Sequence, residues 1–203
     1  MRQLTDEELT LVFEKLKKFI GTAVKDLIED CEAENGSVNV FRLIKNRVYL
    51  ISEALVKKAA AFGTKPLLHC GTCMGQFSKS GKFRMGITAL ERLNRFAQTR
   101  VWLKPTGEQN YLYGNHVLKA HIARISENAT KYCGVIVVTM ANLPLGFGVL
   151  AKPAQELNSS DSSMIYVFNQ ADSGEYLRIE SDKNRKKEKY NDDDEEDEEE
   201  ADD

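Results

Sequence analysis

Residues 113–152 read YGNHVLKAHIARISENATKYCGVIVVTMANLPLGFGVLAK, and the fold is decided by how this stretch is read. At its centre, 134–140 (GVIVVTM) holds a continuous run of β-branched residues from Val135 to Thr139. A run with no polar alternation suits a strand covered on both faces. Ala141, Asn142, Leu143 and Pro144 form a turn, and 145–151 returns as a second strand, so the two make a hairpin. In the returning strand Gly146 and Gly148 alternate with Phe147 and Val149. Glycine normally weakens a strand, so two at alternate positions predict a bulge or the close approach of another backbone. Upstream, Val117, Leu118 and Ala120 fit either a short helix or the start of a strand.

Outward from this hairpin, 100–103, 121–125 and 164–169 have strand character too. Five short strands with glycine-rich joins predict a small barrel that hides its edges by closing. Before residue 95 the pattern differs. Thr5 with Glu8 three residues on is a capping box, flanked by Leu4 and Leu9 as a hydrophobic staple. Leu9, Val12, Phe13, Leu16 and Ile20 follow at helical spacing, and Lys15, Lys17 and Lys18 sit where cations suit the helix dipole. Residues 23–28 suggest a short second helix. Strands are expected at 38–44 and 47–51, joined at Lys45-Asn46, and a helix capped by Ser52 runs to Phe62 before Gly63 and Pro66. Further strands are expected at 67–77 and 83–87 around a turn at 78–81. Thr88 with Glu91 is a second capping box, opening a helix through Leu90, Leu93 and Phe96. The fold class expected is therefore α+β: an N-terminal α/β domain at 1–96, a small β-barrel at 97–180, and a tail at 181–203.

The tail has a different composition. Residues 183–189 (KNRKKEK) are basic, and 191–203 hold 11 acidic residues. Like charges at that density cannot bury a core, which predicts disorder. The net charge of −3 also conceals an uneven distribution. Residues 1–34 carry 5 Lys/Arg against 9 Asp/Glu, residues 35–105 carry 13 against 2, and residues 106–182 carry 5 against 8. An excess of that size in the middle of the chain is the footprint of a polyanion-binding surface.

Several chemistries lack their residues. No stretch approaches about 18 consecutive apolar residues and the start, MRQLTDEELT, has neither a basic nor an apolar leader region, so neither a membrane span nor a secretory signal is expected. The four cysteines, Cys31, Cys70, Cys73 and Cys133, favour a reducing compartment. Cys70 and Cys73 have zinc or redox spacing beside His69, but no second pair of ligands accompanies them and the following residues read as a strand. They are assigned to the buried structure. The segment 75–82 (GQFSKSGK) has five residues between its glycines where a P-loop has four, and Phe83 stands where a magnesium-binding hydroxyl is required. The hairpin instead offers Lys79, Lys82 and Arg84 to phosphates, with Phe77 and Phe83 assigned by strand alternation to the core. No nucleophile with a glycine elbow accompanies His116 or His121, and no carboxylate pair stands out. An enzyme and a cofactor are not expected.

The glycine and strand pattern of 97–180 resembles a PUA domain, the small RNA-binding barrel attached to pseudouridine synthases and archaeosine transglycosylases. With residues 1–5 (MRQLT), 77–88 (FSKSGKFRMGIT), 112–121 (LYGNHVLKAH), 144–148 (PLGFG) and 170–178 (QADSGEYLR) the chain resembles the Nip-seven family of large-ribosomal-subunit biogenesis factors. That resemblance implies a nuclear and nucleolar protein, monomeric outside the particle, that takes part in 60S assembly by contacting pre-rRNA and other assembly factors of the pre-60S particle. The alternative is a protein-interaction adaptor with little RNA affinity. Lys119, His121, Arg124 and Lys152 are the barrel's candidate RNA contacts. Because 106–182 is acidic on balance, RNA binding is expected to need Lys79, Lys82 and Arg84 as well.

Overall fold

The computed structural model describes residues 1–29, 38–60, 70–158 and 161–180. The tail at 181–203, Cys31 and His69 lie outside these residues, as does the expected continuation of the third helix to Phe62.

The first helix, α1 (Asp6–Ile20), starts where the capping box places it, with Thr5 and Glu8 satisfying each other's backbone N–H groups. Glu8 also receives both terminal nitrogens of Arg2, at 2.6 and 2.8 Å. This guanidinium, followed by the Thr5 backbone, holds the Glu8 carboxyl down at about 2. Arg2 in turn exchanges two backbone hydrogen bonds with Leu43, so the start of the chain is tied to a strand. That strand is β1 (Asn39–Ile44), which pairs with β2 (Arg47–Ser52); β3 (Thr72–Phe77) and β4 (Phe83–Met85) complete an antiparallel sheet in the order β1-β2-β3-β4. Helices α2 (Val24–Glu29), α3 (Glu53–Ala59, capped by Ser52) and α4 (Leu90–Phe96) are the further helices among the described residues of this half.

Three local expectations change here. Of the strand expected from residue 67, positions 67–69 lie outside the described residues, and β3 begins at Thr72, after Gly71 with its φ of 75°. The strand expected to reach Ile87 ends at Met85, and Ile87–Ala89 is a 3-10 turn. The second capping box does not form: the Thr88 hydroxyl donates to the Cys73 carbonyl on β3, and α4 begins after Ala89 with no side-chain cap. A tertiary hydrogen bond thus takes the group that local sequence would have used as a cap.

The C-terminal half comprises β5 (Arg100–Leu103), α5 (Pro105–Leu112), β6 (Val117–Leu118), β7 (Ile122–Ile125), β8 (Gly134–Val138), β9 (Pro144–Leu150) and β10 (Ile165–Asp172). These six strands, in the order β6-β10-β9-β8-β5-β7, curl into a nearly closed barrel with only β5 and β8 parallel. Five strands were expected, and α5 was not. Pro105 at the first helical position was its available signal. Every residue of β8 is buried, as its composition predicts. Val135 and Val137 join Val101, Leu103, Leu150 and Tyr166 inside the barrel, whereas Ile136 and Val138 join Leu16, Phe19 and Phe147 in a core shared with the N-terminal half.

That shared core depends on close approach. A Cβ on Gly134 would lie 2.6 Å from the Phe19 ring, so only glycine lets the end of α1 settle on β8. Phe19 then meets Phe147 edge-on at 5.4 Å. On β9, a Cβ on Gly146 or Gly148 would lie 2.3 or 2.4 Å from the carbonyl oxygen of Ala171 or Phe168 on β10, and the β9–β10 register shifts between Asn169 and Ala171. The bulge and the backbone approach, expected at these glycines as alternatives, are both present. Tyr111 from α5 closes this corner, its hydroxyl within 3.3 Å of the Phe147 and Ala171 carbonyls. Burial, and then the charge of Asp172, push that phenol well above its usual range.

Candidate nucleic-acid interface

The β3–β4 hairpin turns at 78–81, where Ser78 N–H donates to the Lys82 carbonyl at 2.9 Å and the Ser78 hydroxyl accepts from Lys82 N–H. Strand alternation then divides its side chains. Phe83 is buried against Phe77, ring to ring at 5.4 Å, so both aromatics belong to the core as expected. Lys79, Lys82 and Arg84 are exposed. Lys79 stands at the turn, while Lys82 and Arg84 face the end of α1 across a cavity of about 300 Å³ that Lys15 and Lys18 also line. Lys15 and Arg84 continue into a larger cavity of about 690 Å³ between the N-terminal sheet and the end of β10. Arg47, Gln76 and Thr88 line one side of it, and Gln170, Glu175, Tyr176 and Ile179 the other.

The far wall is held by the segment 170–178. Residues 174–180 are helical, and Arg178 reaches back to donate to the Leu112 carbonyl at 2.6 Å and to both Asp172 oxygens at 2.9 and 3.0 Å. Asp172 is buried and also accepts from the Asn169 amide at 3.1 Å. A buried carboxylate needs such partners, and here they fix the helix's direction. At its start a Cβ on Gly174 would lie 2.0 Å from the Leu112 carbonyl oxygen, which requires glycine. The helix therefore holds Glu175, Tyr176 and Ile179 over the cleft.

Five cations, Lys15, Lys18, Arg47, Lys82 and Arg84, border the two connected cavities, with Glu14 and Glu175 as their acidic residues. Partial burial, and then the neighbouring Lys18, lower the pKa of Lys15. Among the described residues no ion pair engages Lys15, Lys18, Lys82 or Arg84. Such a surface is suited to neutralising phosphates, and the exposed Tyr176 ring at its wall offers a face on which a base can stack.

The remaining sequence candidates lie elsewhere. Lys119 and His121 belong to a 3-10 turn after β6, and Lys119 N–H pairs with the Met164 carbonyl just before β10 begins. Gln170, at the cleft, is six residues along that strand, or roughly 20 Å away. The Lys119 ammonium lies 3.5 Å from the Asn158 carbonyl, and the Lys152 ammonium lies 3.7 Å from Glu156. Arg124, on β7, lies over the Trp102 ring at 3.8 Å, and the indole N–H donates to Asn142 at 2.7 Å. The structure thus brings Lys82 and Arg84 together, leaves Lys79 at the hairpin turn, and separates Lys119 and His121 from them.

Lys15, Lys18, Arg47 and Tyr176 line the cleft and are not among the residues that the sequence singles out. Their sequence offered one usable signal, the i, i+3, i+4, i+7 series Leu11, Glu14, Lys15 and Lys18 on one face of α1, but the lysines near the helix end were assigned to its dipole alone. Cys70 and Cys73 are half-buried, not fully buried as expected, and pack beside Ile44, Tyr49 and Ile51. His116 accepts from the Asn169 N–H through Nδ1 and meets Phe168 edge-on.

Comparison with known proteins agrees with this architecture. Residues 1–87 match the NIP7/UPF0113 pre-PUA domain and residues 99–181 match the UPF0113 PUA domain. A protein of Xenopus tropicalis named 60S ribosome subunit biogenesis protein NIP7 homolog is 48% identical over 180 residues, covering 89% of this chain and 98% of the relative. The Sus scrofa protein of the same name is 47% identical over the same shares. Among solved structures, a hypothetical protein from Pyrococcus horikoshii superposes with a TM-score of 0.53 at 14% identity, covering 84% of this chain and 92% of the other. A PUA domain from Aeropyrum pernix, solved as a tartrate complex, gives 0.51 at 11% identity over 84% of each chain. These structures share the fold, and the closer sequence relatives decide the family: the chain belongs to the NIP7 family of 60S ribosome subunit biogenesis proteins.

Proposed function

We propose that this protein is a non-enzymatic RNA-binding assembly factor that acts on pre-rRNA within the pre-60S particle, in the nucleus and nucleolus, and that a single-stranded stretch of RNA lies in the cleft between its two sheets. The observation that carries this reading is the convergence of Lys15, Lys18, Arg47, Lys82 and Arg84 on that cleft. Residues 1–96 and 97–180 act as two units that form one surface: the first supplies the cations and the second supplies Tyr176 as a stacking wall. Lys79 extends the path at the hairpin turn, and Lys119, His121, Arg124 and Lys152 provide a second, weaker contact on the barrel.

Each phosphate contact on a single strand contributes roughly −0.7 to the slope of log affinity against log salt. Changing Lys15, Lys82 and Arg84 together to Ala should flatten that slope by about 2 units on an oligouridylate, as three lost contacts require. The same measurement on a Lys119, Arg124 and Lys152 triple variant should give a smaller change. A cleft variant with the slope of the parent protein would refute the reading, provided circular dichroism shows both folded.

A second surface favours contact with other assembly factors. At the β8–β9 turn Met140 and Leu143 are 54% and 63% exposed, an apolar pair that a protein partner could cover. Changing both to Ser should weaken capture of assembly factors without altering affinity for the oligonucleotide. Loss of oligonucleotide affinity instead would assign this turn to RNA.

A further inference from the structure

We infer that the same cleft is a docking surface for an acidic segment of this chain, residues 191–203, which compete there with nucleic acid. The competition rests on the RNA reading above, whereas the docking rests on the cleft alone. Four observations point to this occupant. The cleft has an excess of cations, five against Glu14 and Glu175. The run at 191–203 has 11 carboxylates and no cation. The last described residues, 174–180, are helical and lie at the cleft, with Ile179 lining the larger cavity one residue before Glu180. Finally, the match to the PUA domain ends at residue 181, so the acidic run lies beyond the shared fold.

The covalent connection is long enough. Asp192 lies twelve positions after Glu180, and that length of chain spans at most about 40 Å. Lys15 and Arg84 line the cavity beside Ile179, and the smaller cavity that they share with Lys18 and Lys82 adjoins it. A tether of this kind gives an effective concentration on the order of mM, so even a weak contact, with an intrinsic Kd of about 0.1 mM, would leave the cleft free only about a tenth of the time. The basic cluster at 183–189 is itself a rival partner for the carboxylates, and the experiment must separate the two.

The full chain is compared with a full-length variant in which every Asp and Glu from 192 to 200 is replaced by its amide. Backbone amide shifts should differ between the two at Lys15, Lys18, Lys82 and Arg84, with Lys119, Arg124 and Lys152 unmoved. The difference should fade between about 0.1 M and 1 M salt, as the screening length falls from about 10 to 3 Å. Affinity for an oligouridylate should rise about tenfold in the variant at low salt and converge with the parent at high salt. No shift at the cleft cations overturns the docking. A rise in RNA affinity without those shifts overturns it too, because it means that the carboxylates were paired with 183–189. Cleft shifts without any gain in RNA affinity sustain the docking and count against the RNA reading.

Discussion

Cations border the cleft and stud the barrel flank, but their surroundings differ. On the flank, Arg124 lies on Trp102, Lys152 faces Glu156 and Lys119 reaches the Asn158 carbonyl, so each is already engaged by its own domain. At the cleft, Lys82 and Arg84 stand exposed opposite Lys15 and Lys18, and the carboxylates available to balance them are fewer. Like charges held close together raise the energy of the empty protein, and a polyanion relieves that cost by neutralising them. The number of lysines in a segment therefore says less about binding than what each lysine touches.

The contrast breaks most sharply if the two halves come apart, because the cleft needs both and the flank needs only the barrel. Phe147→Ala removes the ring that meets Phe19 in the shared core and should cost about 3–5 kcal/mol in urea or thermal unfolding. In conditions where the variant remains folded, its RNA affinity should fall towards that of the cleft triple variant. Affinity kept at the level of the parent would transfer the main contact to the flank.

Next in size is Arg178→Ala, which leaves the buried Asp172 carboxylate without its guanidinium. Breaking a buried pair costs about 3–5 kcal/mol, but the Arg178 side chain is 44% exposed and water can replace part of it, so about 2 kcal/mol is expected. The wall of the cleft loosens with it, and RNA affinity should drop beyond what one lost charge explains. Arg124→Ala is the matched change on the flank: it removes a cation–π contact and should cost about 0.5–1 kcal/mol, with little effect on affinity. Equal losses of affinity from these two arginines would erase the distinction between the surfaces.

The smallest effect concerns neither surface and serves as a control. The Glu8 carboxyl, held at about 2 by Arg2, has a folded-state pKa below its unfolded value near 4.5. Its contribution is present above about pH 4.5 and is lost as the pH falls through about 2. Glu8→Gln should therefore flatten the fall in melting temperature over that window and leave RNA affinity at neutral pH unchanged. An acid-melting profile identical to that of the parent would mean that the Arg2–Glu8 clamp contributes nothing to stability.

Sequence reading went furthest where local pattern and burial agree. The run 134–138 suits a strand covered on both faces, and β8 is one. The alternate glycines at 146 and 148 announced a backbone in contact with β9, which proved to be β10. Lys82 and Arg84 were legible as outward residues of a hairpin whose aromatics point in. What failed was local chemistry claimed by a distant partner: Thr88 had the spacing of a cap, but Cys73, fifteen residues back, takes its hydroxyl.

Composition and periodicity by themselves determined the first helix and its cap, the buried hairpin, the basic middle of the chain and the acidic run at 191–203. Each depends on neighbours within a few residues or on charge counted along the chain. Tertiary structure alone decided which cations share a cleft, because Lys15 and Arg84 are 69 positions apart and meet only when α1 crosses to the β3–β4 hairpin. It also decided that Phe19, spaced like any core residue of α1, would be the ring that seats the barrel, since that role exists only where Gly134 leaves room for it. Local pattern fixes which face of an element is apolar or charged, and packing between elements separated in sequence fixes what that face meets.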